Sequence, residues 1–234
     1  MEIIQDLEAK QEILDRMATL EFGNRTGIHQ SDLVFCLNKA YLRRVCPKKP
    51  KEHEVLRMAR GTASQRWLTR KLEDEPTVEL DGIQVTPDAL WKDGTPWELK
   101  ETDASSTREV LGSVHYVRQL MNQCKVLGVR TARLSRLFNL GNWKWVYKPK
   151  DPAKIQALVA EFGEDWEAHP LLDVTRFEFT QEEIDRNWEM MKARRDLLLK
   201  LLDSQALLPK PQALMSGMDW ECKDCPYRGK ECNK

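Results

Sequence analysis

The chain reads as an α/β protein, a mixed sheet covered by helices, on three observations. Helical spacing of apolar residues dominates the first 73 positions, a run of short strands follows, and the last long helix opens on a capping box at Thr180 and Glu183. Strands set between helices in this order favour a layered sheet over a helical bundle.

Taken in order, residues 2–21 carry Ile3, Ile4, Leu7, Ile13, Leu14, Met17 and Leu20 at helical spacing. A loop with Gly23 and Gly27 follows, and Ser31 is the expected N-cap of a helix running to about Arg44, where Pro47 and Pro50 interrupt. A helix fits 52–73. Strands are expected at 77–80, 83–90 and 95–101, a helix at 107–127, and strands at 132–140 and 143–147 around a Gly141-Asn142 turn. A short helix at 152–162, a strand at 174–179 and the capped helix to about Leu202 complete the pattern. Irregular sequence begins near 205, and there is no internal repeat.

A length of 234 residues is ample for one buried core, so a single domain over 1–234 is expected, with its core in 74–204. Thirty-seven basic and thirty-seven acidic residues cancel, and global charge selects no partner. Locally, eleven Lys/Arg between Lys39 and Lys71 face only Glu52 and Glu54. Such a block can follow a phosphate backbone, or serve as a solvated helix face balanced by acidic stretches at 161–167 and 178–185. The first residues are charged and helical without an apolar core, and no apolar run reaches membrane-spanning length. A soluble, cytoplasmic protein with no membrane partner is expected. Six cysteines in that compartment point to metal binding before a disulfide framework.

The stretch VTPDALWKDGTPWELKET, residues 85–102, holds the chemistry. Asp-Gly between two half-apolar runs signals a hairpin. Alternation along a strand puts Glu98 and Lys100 on one face and Leu99 on the other. A two-residue loop would pair Asp88 with Leu99; a three-residue loop, Lys92-Asp93-Gly94 with Gly94 left-handed, puts Asp88 opposite Glu98. Two carboxylates so close need a cation between them, and hard divalent ions such as Mg²⁺ or Mn²⁺ take such oxygen ligands. Pro87 and Pro96 speak for edges or bulges.

The tail holds Cys222, Cys225 and Cys232 as C-x2-C-x6-C, beside Trp220, Pro226 and Tyr227. Two cysteines two apart can clasp one metal or cluster edge, and three ligands leave a site incomplete. Cys36 is the chosen fourth ligand, with Cys46 the fallback; Cys124 sits mid-helix, where a small buried thiol is ordinary. Spacing leaves zinc and iron–sulfur both open. A long-range fourth ligand would staple the helical part, 1–73, to the cysteine-rich tail, 205–234.

Together, a lone cysteine after S-D-x-x-x, a glycine-bearing helix, D…E-x-K, a glutamine-bearing helix and C-x2-C-x6-C make the chain resemble the RecB-like branch of the PD-(D/E)xK nucleases that carry a [4Fe–4S] cluster. Relatives of that branch include the CRISPR-associated exonuclease of spacer acquisition and AddB-type nuclease domains. The resemblance runs from about residue 28 to 232. It implies a restriction-endonuclease-like core, with Asp88 and Glu98 as metal carboxylates, the Leu99 carbonyl as a further ligand, and Lys100 as the catalytic lysine. It implies that Gln119 orders the lysine and the DNA end, and that Cys36, Cys222, Cys225 and Cys232 hold the cluster. Two positions depart from the pattern: Gln65 stands where a metal-binding histidine is usual, four residues after Gly61, and Gln123 stands where tyrosine is usual.

The resemblance implies a Mg²⁺- or Mn²⁺-dependent exonuclease on single-stranded DNA ends, often 5′ to 3′, in recombination, phage replication or CRISPR adaptation, with partner proteins from those processes. The rival expectation is a non-catalytic, zinc- or cluster-stabilised DNA-binding or adaptor module whose D…E-x-K is vestigial; the missing histidine favours it.

Overall fold

The computed structural model describes residues 7–21, 26–70, 76–103, 110–139, 150–164, 172–215, 217–223 and 225–232. In chain order its helices are α1 (Leu7–Glu21), α2 (Gln30–Val34), α3 (Leu37–Val45), α4 (Glu52–Thr69), α5 (Val114–Leu127), α6 (Pro152–Phe162), α7 (Gln181–Ser204) and α8 (Lys210–Ala213). Its strands are β1 (Val78–Leu80), β2 (Ile83–Val85), β3 (Ala89–Leu90), β4 (Pro96–Thr102), β5 (Thr131–Phe138) and β6 (Leu172–Glu178). The fold is α/β, with a mixed sheet flanked by helices. The chain divides into two units, residues 1–86 with 185–234 and residues 87–184.

The second unit is built on the sheet β3-β4-β5-β6. β4 and β5 run parallel, with Glu98 beside Leu134 and Lys100 beside Arg136; the two outer pairings are antiparallel. A parallel pair needs a crossover, and α5 supplies it. Its Leu120 and Cys124 pack with Ala132, Leu134 and Ile184 in a core closed by Tyr116, Phe177 and Phe179. Gly128, left-handed at φ 67°, ends α5. Thr180 and Glu183 form the expected capping box: Glu183 Oε2 accepts from Thr180 N at 2.8 Å, and Glu183 N donates to Thr180 Oγ1 at 3.2 Å.

In the first unit β1 and β2 form a two-residue hairpin through Asp81 and Gly82, both at positive φ. Trp188 Nε1 donates to the Asp81 carboxylate at 2.8 Å, tying the hairpin to α7.

Three expectations are corrected. The strand expected at 83–90 is two strands: Pro87 has no N–H to donate, and the chain leaves the β1–β2 hairpin for the other sheet there. The helix expected from Ser31 to Arg44 is broken. α2 is capped by His29, whose N–H donates to Asp32 Oδ2 at 2.9 Å, and the chain restarts as α3 with Cys36 at its N-cap. The break stands because its backbone is satisfied from afar. Arg194 donates to Leu33 O at 2.6 Å and Phe35 O at 2.8 Å, while Cys36 N donates to Glu221 Oε2 at 3.2 Å. Of the helix expected at 107–127, residues 107–109 lie outside the described residues, Val110–Gly112 form a 3₁₀ turn, and α5 runs from Val114. The strand and turn expected at 141–147, the loop at Gly23 and the helix end at 71–73 lie outside the described residues.

Candidate functional site

β3 and β4 pair with Ala89 opposite Trp97 and Leu90 opposite Pro96, a register that carries Asp88 opposite Glu98. Trp91 N donates to Thr95 O at 2.8 Å and Gly94 N to Trp91 O at 2.9 Å, closing a three-residue loop over Lys92-Asp93-Gly94. Gly94 sits at φ 78°, where a side chain would be strained. Asp93 fixes the loop from below. It accepts from Thr95 N at 3.1 Å and from Arg133 Nη2 of β5 at 2.9 Å, and Arg133 holds its carboxyl well below the usual range.

Three predicted residues meet directly. Lys100 Nζ touches Glu98 Oε1 and lies 3.7 Å from Asp88 Oδ2. Asp88 Oδ2 also accepts from Leu99 N at 2.8 Å, which aims the carboxylate at β4. Glu98 is 3 % exposed. Burial works against a charge on Lys100, but Glu98 and then Asp88 outweigh it and hold the ammonium above its ordinary range.

α5 lays a polar stripe beside this triad: Tyr116, Gln119 and Gln123, at spacings of one helical turn. Gln123 Nε2 donates to Glu98 Oε2, so Glu98 is held from two sides. The Tyr116 ring centre lies 5.8 Å from Lys100 Nζ. Gln119 and Gln123 are both buried, and the amide oxygen of each has no hydrogen-bond partner among the described residues. A buried acceptor left unmade costs about 1–3 kcal/mol. Facing carboxylates with unmatched amide oxygens are a donor set that fits a hydrated, hard divalent cation. The direct contact of Gln123 with Glu98 was missed in the sequence reading; the heptad spacing from Tyr116 was the signal available. Gln65 lies on α4 in the first unit, its carbonyl accepting from Thr69 Oγ1 at 2.9 Å.

A second site lies within the first unit. Cys36, Cys222, Cys225 and Cys232 line one cavity of about 20 Å³, together with Leu42, Glu221 and Tyr227. The tail is fastened over α3: the Asn38 side chain exchanges hydrogen bonds with Leu208 at 2.6 and 2.9 Å, and Lys48 Nζ donates to Pro226 O at 2.9 Å. Burial pushes the Cys36 thiol up to about 11 and raises that of Cys222. Cys46 is not among the lining residues; its carbonyl accepts from Tyr227 Oη at 3.2 Å. Cys124 is buried in the second unit's core.

Soft thiols enclosed in one cavity fit, as a donor set, zinc or an iron–sulfur cluster. As placed, no three His, Cys, Asp or Glu side chains among the described residues are gathered tightly enough to bind one metal ion. Glu221 was not foreseen. One of its oxygens caps Cys36 N, and the other has no hydrogen-bond partner among the described residues. Among the described residues no helix is long and apolar enough to cross a membrane.

No family model matches the chain, and no curated protein matches it. Among solved structures it is similar to the crystal structure of SSO0001, with 13 % identity over 93 % of each chain and a TM-score of 0.55. That likeness is one of fold. An alkaline exonuclease (LHK-Exo) from Laribacter hongkongensis aligns at 12 % identity over 82 % of this chain and 95 % of its own, with a TM-score of 0.44. A phage-related exonuclease from Haemophilus somnus 129PT aligns at 10 % identity over 80 % of this chain and 100 % of its own, also at 0.44. Scores at that level do not establish a shared fold.

Proposed function

We propose that the chain is a divalent-metal-dependent deoxyribonuclease with a restriction-endonuclease-like core, an exonuclease on single-stranded DNA ends acting 5′ to 3′. The observation that carries the reading is the contact set in the second unit: Asp88 carried opposite Glu98, with the Lys100 ammonium against both carboxylates.

Asp88 and Glu98 are the carboxylates that would hold Mg²⁺ or Mn²⁺, with the Leu99 carbonyl beside them. When bound, such an ion lowers the pKa of a water and polarises the phosphate. Lys100 stays charged through the neutral range and offers its ammonium to the negative charge that grows on phosphate. Gln123 keeps Glu98 in one orientation, and Gln119 presents a buried amide oxygen to any donor entering the site.

Cys36, Cys222, Cys225 and Cys232 are the thiols that would hold a [4Fe–4S] cluster, in a structural role that locks the tail onto α3. The resemblance stated from the sequence, to the CRISPR-associated exonuclease and AddB-type nucleases, supports this choice over zinc.

One observation favours a second reading, a non-catalytic DNA-binding module: the Lys100 ammonium already touches both carboxylates and supplies one countercharge there without a metal ion. Incubation of 5′- and 3′-labelled single-stranded oligonucleotides with Mn²⁺, Mg²⁺ or EDTA separates the two. The nuclease reading expects metal-dependent shortening from one end; intact oligonucleotide under every condition gives the chain to the adaptor reading.

The Gln123 contact carries its own prediction. Gln123→Leu keeps the helix and its volume but frees Glu98, and it is expected to weaken divalent binding about 10- to 100-fold, the usual worth of a partner that orients a metal ligand. Mn²⁺ titration of wild type and variant checks it; equal affinities would remove Gln123 from the site.

A further inference from the structure

α4 belongs to neither the carboxylate–lysine triad nor the cysteine cavity, and it combines exposed cations with an exposed aromatic ring. α4 opens on a capping box between Lys51 and Glu54 and ends at Arg70, left-handed at φ 56°. Between Val55 and Arg70 the sequence has Arg57, Arg60, Arg66 and Arg70 and no acidic residue. Val55 is its one buried residue. Arg57, Arg60, Arg66 and Arg70 are all exposed, and Trp67 is 75 % exposed.

Arg57, Arg60, Ser64 and Trp67 follow one another at spacings of three or four, so they lie along one stripe of the helix. From Arg57 to Trp67 that stripe is about 15 Å long, at 1.5 Å per residue. An indole left so open forgoes the burial that tryptophan usually finds. Both cations on that stripe are arginines, whose planar forks grip phosphate by two hydrogen bonds and stack on flat rings. Cations in a row beside one uncovered indole answer a ligand that is both polyanionic and flat-ringed. An acidic peptide would use the charges and leave the ring idle; a single-stranded nucleic acid uses both.

We infer that the exposed face of α4 is a binding surface for single-stranded nucleic acid, with Arg57 and Arg60 on phosphates and Trp67 stacked on a base. The inference deepens the nuclease reading and rests on it for the identity of the strand.

The test is fluorescence anisotropy of a labelled oligo-dT and of an abasic deoxyribose-phosphate strand of equal length, with full-length protein in EDTA so that no hydrolysis occurs. Trp67→Ala is expected to weaken oligo-dT binding about 5- to 100-fold, the worth of one stacked base. It should leave the abasic strand unaffected, and Trp67→Phe should restore most of the loss. The double variant Arg57→Ala/Arg60→Ala is expected to weaken both strands and to flatten the slope of log K against log salt by about 1.4, at about 0.7 per phosphate contact on a single strand.

Unchanged oligo-dT affinity and slope in both variants would overturn the inference and leave the stripe to a protein partner. Equal losses of Trp67→Ala on both strands would overturn the stacking role. If wild type cleaves DNA while the stripe variants bind normally, this inference falls alone. If wild type cleaves nothing while the stripe governs binding, the nuclease reading falls alone.

Discussion

Replacing Lys100 by alanine is expected to lower metal-dependent hydrolysis of single-stranded DNA by about 10²–10³-fold, the loss typical of removing one preorganised group that faces developing charge. The ammonium is already held above its ordinary pKa by Glu98 and Asp88, so it needs no reorganisation when charge appears on phosphate. The pH dependence follows by sign. A raised lysine pKa means the folded state holds its proton more firmly than the unfolded chain. The stability this contributes is complete below the unfolded value and is lost only as pH rises through the folded one, so Lys100 produces no loss of activity or stability between pH 6 and about 9.

In the alanine variant, Asp88 and Glu98 face each other without their cation. One of them must then keep a proton to higher pH, and without divalent ions the variant should melt lower as pH rises from 5 to 8. Mn²⁺ should close that gap. Glu98→Gln tests the other half of the pair: hydrolysis falls at least as far, and the Lys100–Glu98 ion pair is lost. Either variant cleaving at the wild-type rate would take the triad out of the chemistry.

Cys222→Ser is expected to bleach the protein and destabilise it. A brown, anaerobically purified wild type with absorption near the iron–sulfur charge-transfer region becomes colourless. Loss of a cross-link, taken at the about 3 kcal/mol typical of one closing a long loop, lowers the melting temperature of a chain this size by about 6–12 °C. Cys46→Ser, at a thiol that does not line the cavity, keeps the colour. A variant as brown and as stable as wild type contradicts the ligand assignment; stoichiometric zinc in a colourless wild type keeps the thiols and replaces the cluster.

The hairpin was legible because its determinants are local. Asp93-Gly94 fixes the turn, the turn length fixes the register, and the register decides which face Asp88 shares. The helix break at Phe35–Cys36 was illegible for the opposite reason: the sequence from Ser31 to Arg44 reads as one helix, and what stabilises the break is Arg194 and Glu221, about 160 and 185 residues further on. The split of 83–90 was half legible. Pro87 signals an interruption, but not that the two halves join different sheets. In the same way Arg136, beside Lys100 on β5, is ion-paired to Asp173 of β6, a match set by strand order rather than by any local pattern. C-x2-C-x6-C announces three thiols; only the folded tail brings Cys36 to the same cavity.

Asp88 and Glu98 are proposed to share one divalent ion beside Lys100. Electron paramagnetic resonance of Mn²⁺ titrated into wild type, Asp88→Asn and Glu98→Gln counts that ion directly. Wild type should take up manganese at a site that either single variant empties, because each removes one of the two facing carboxylates. Equal uptake by all three proteins, or none by wild type, would contradict that sharing.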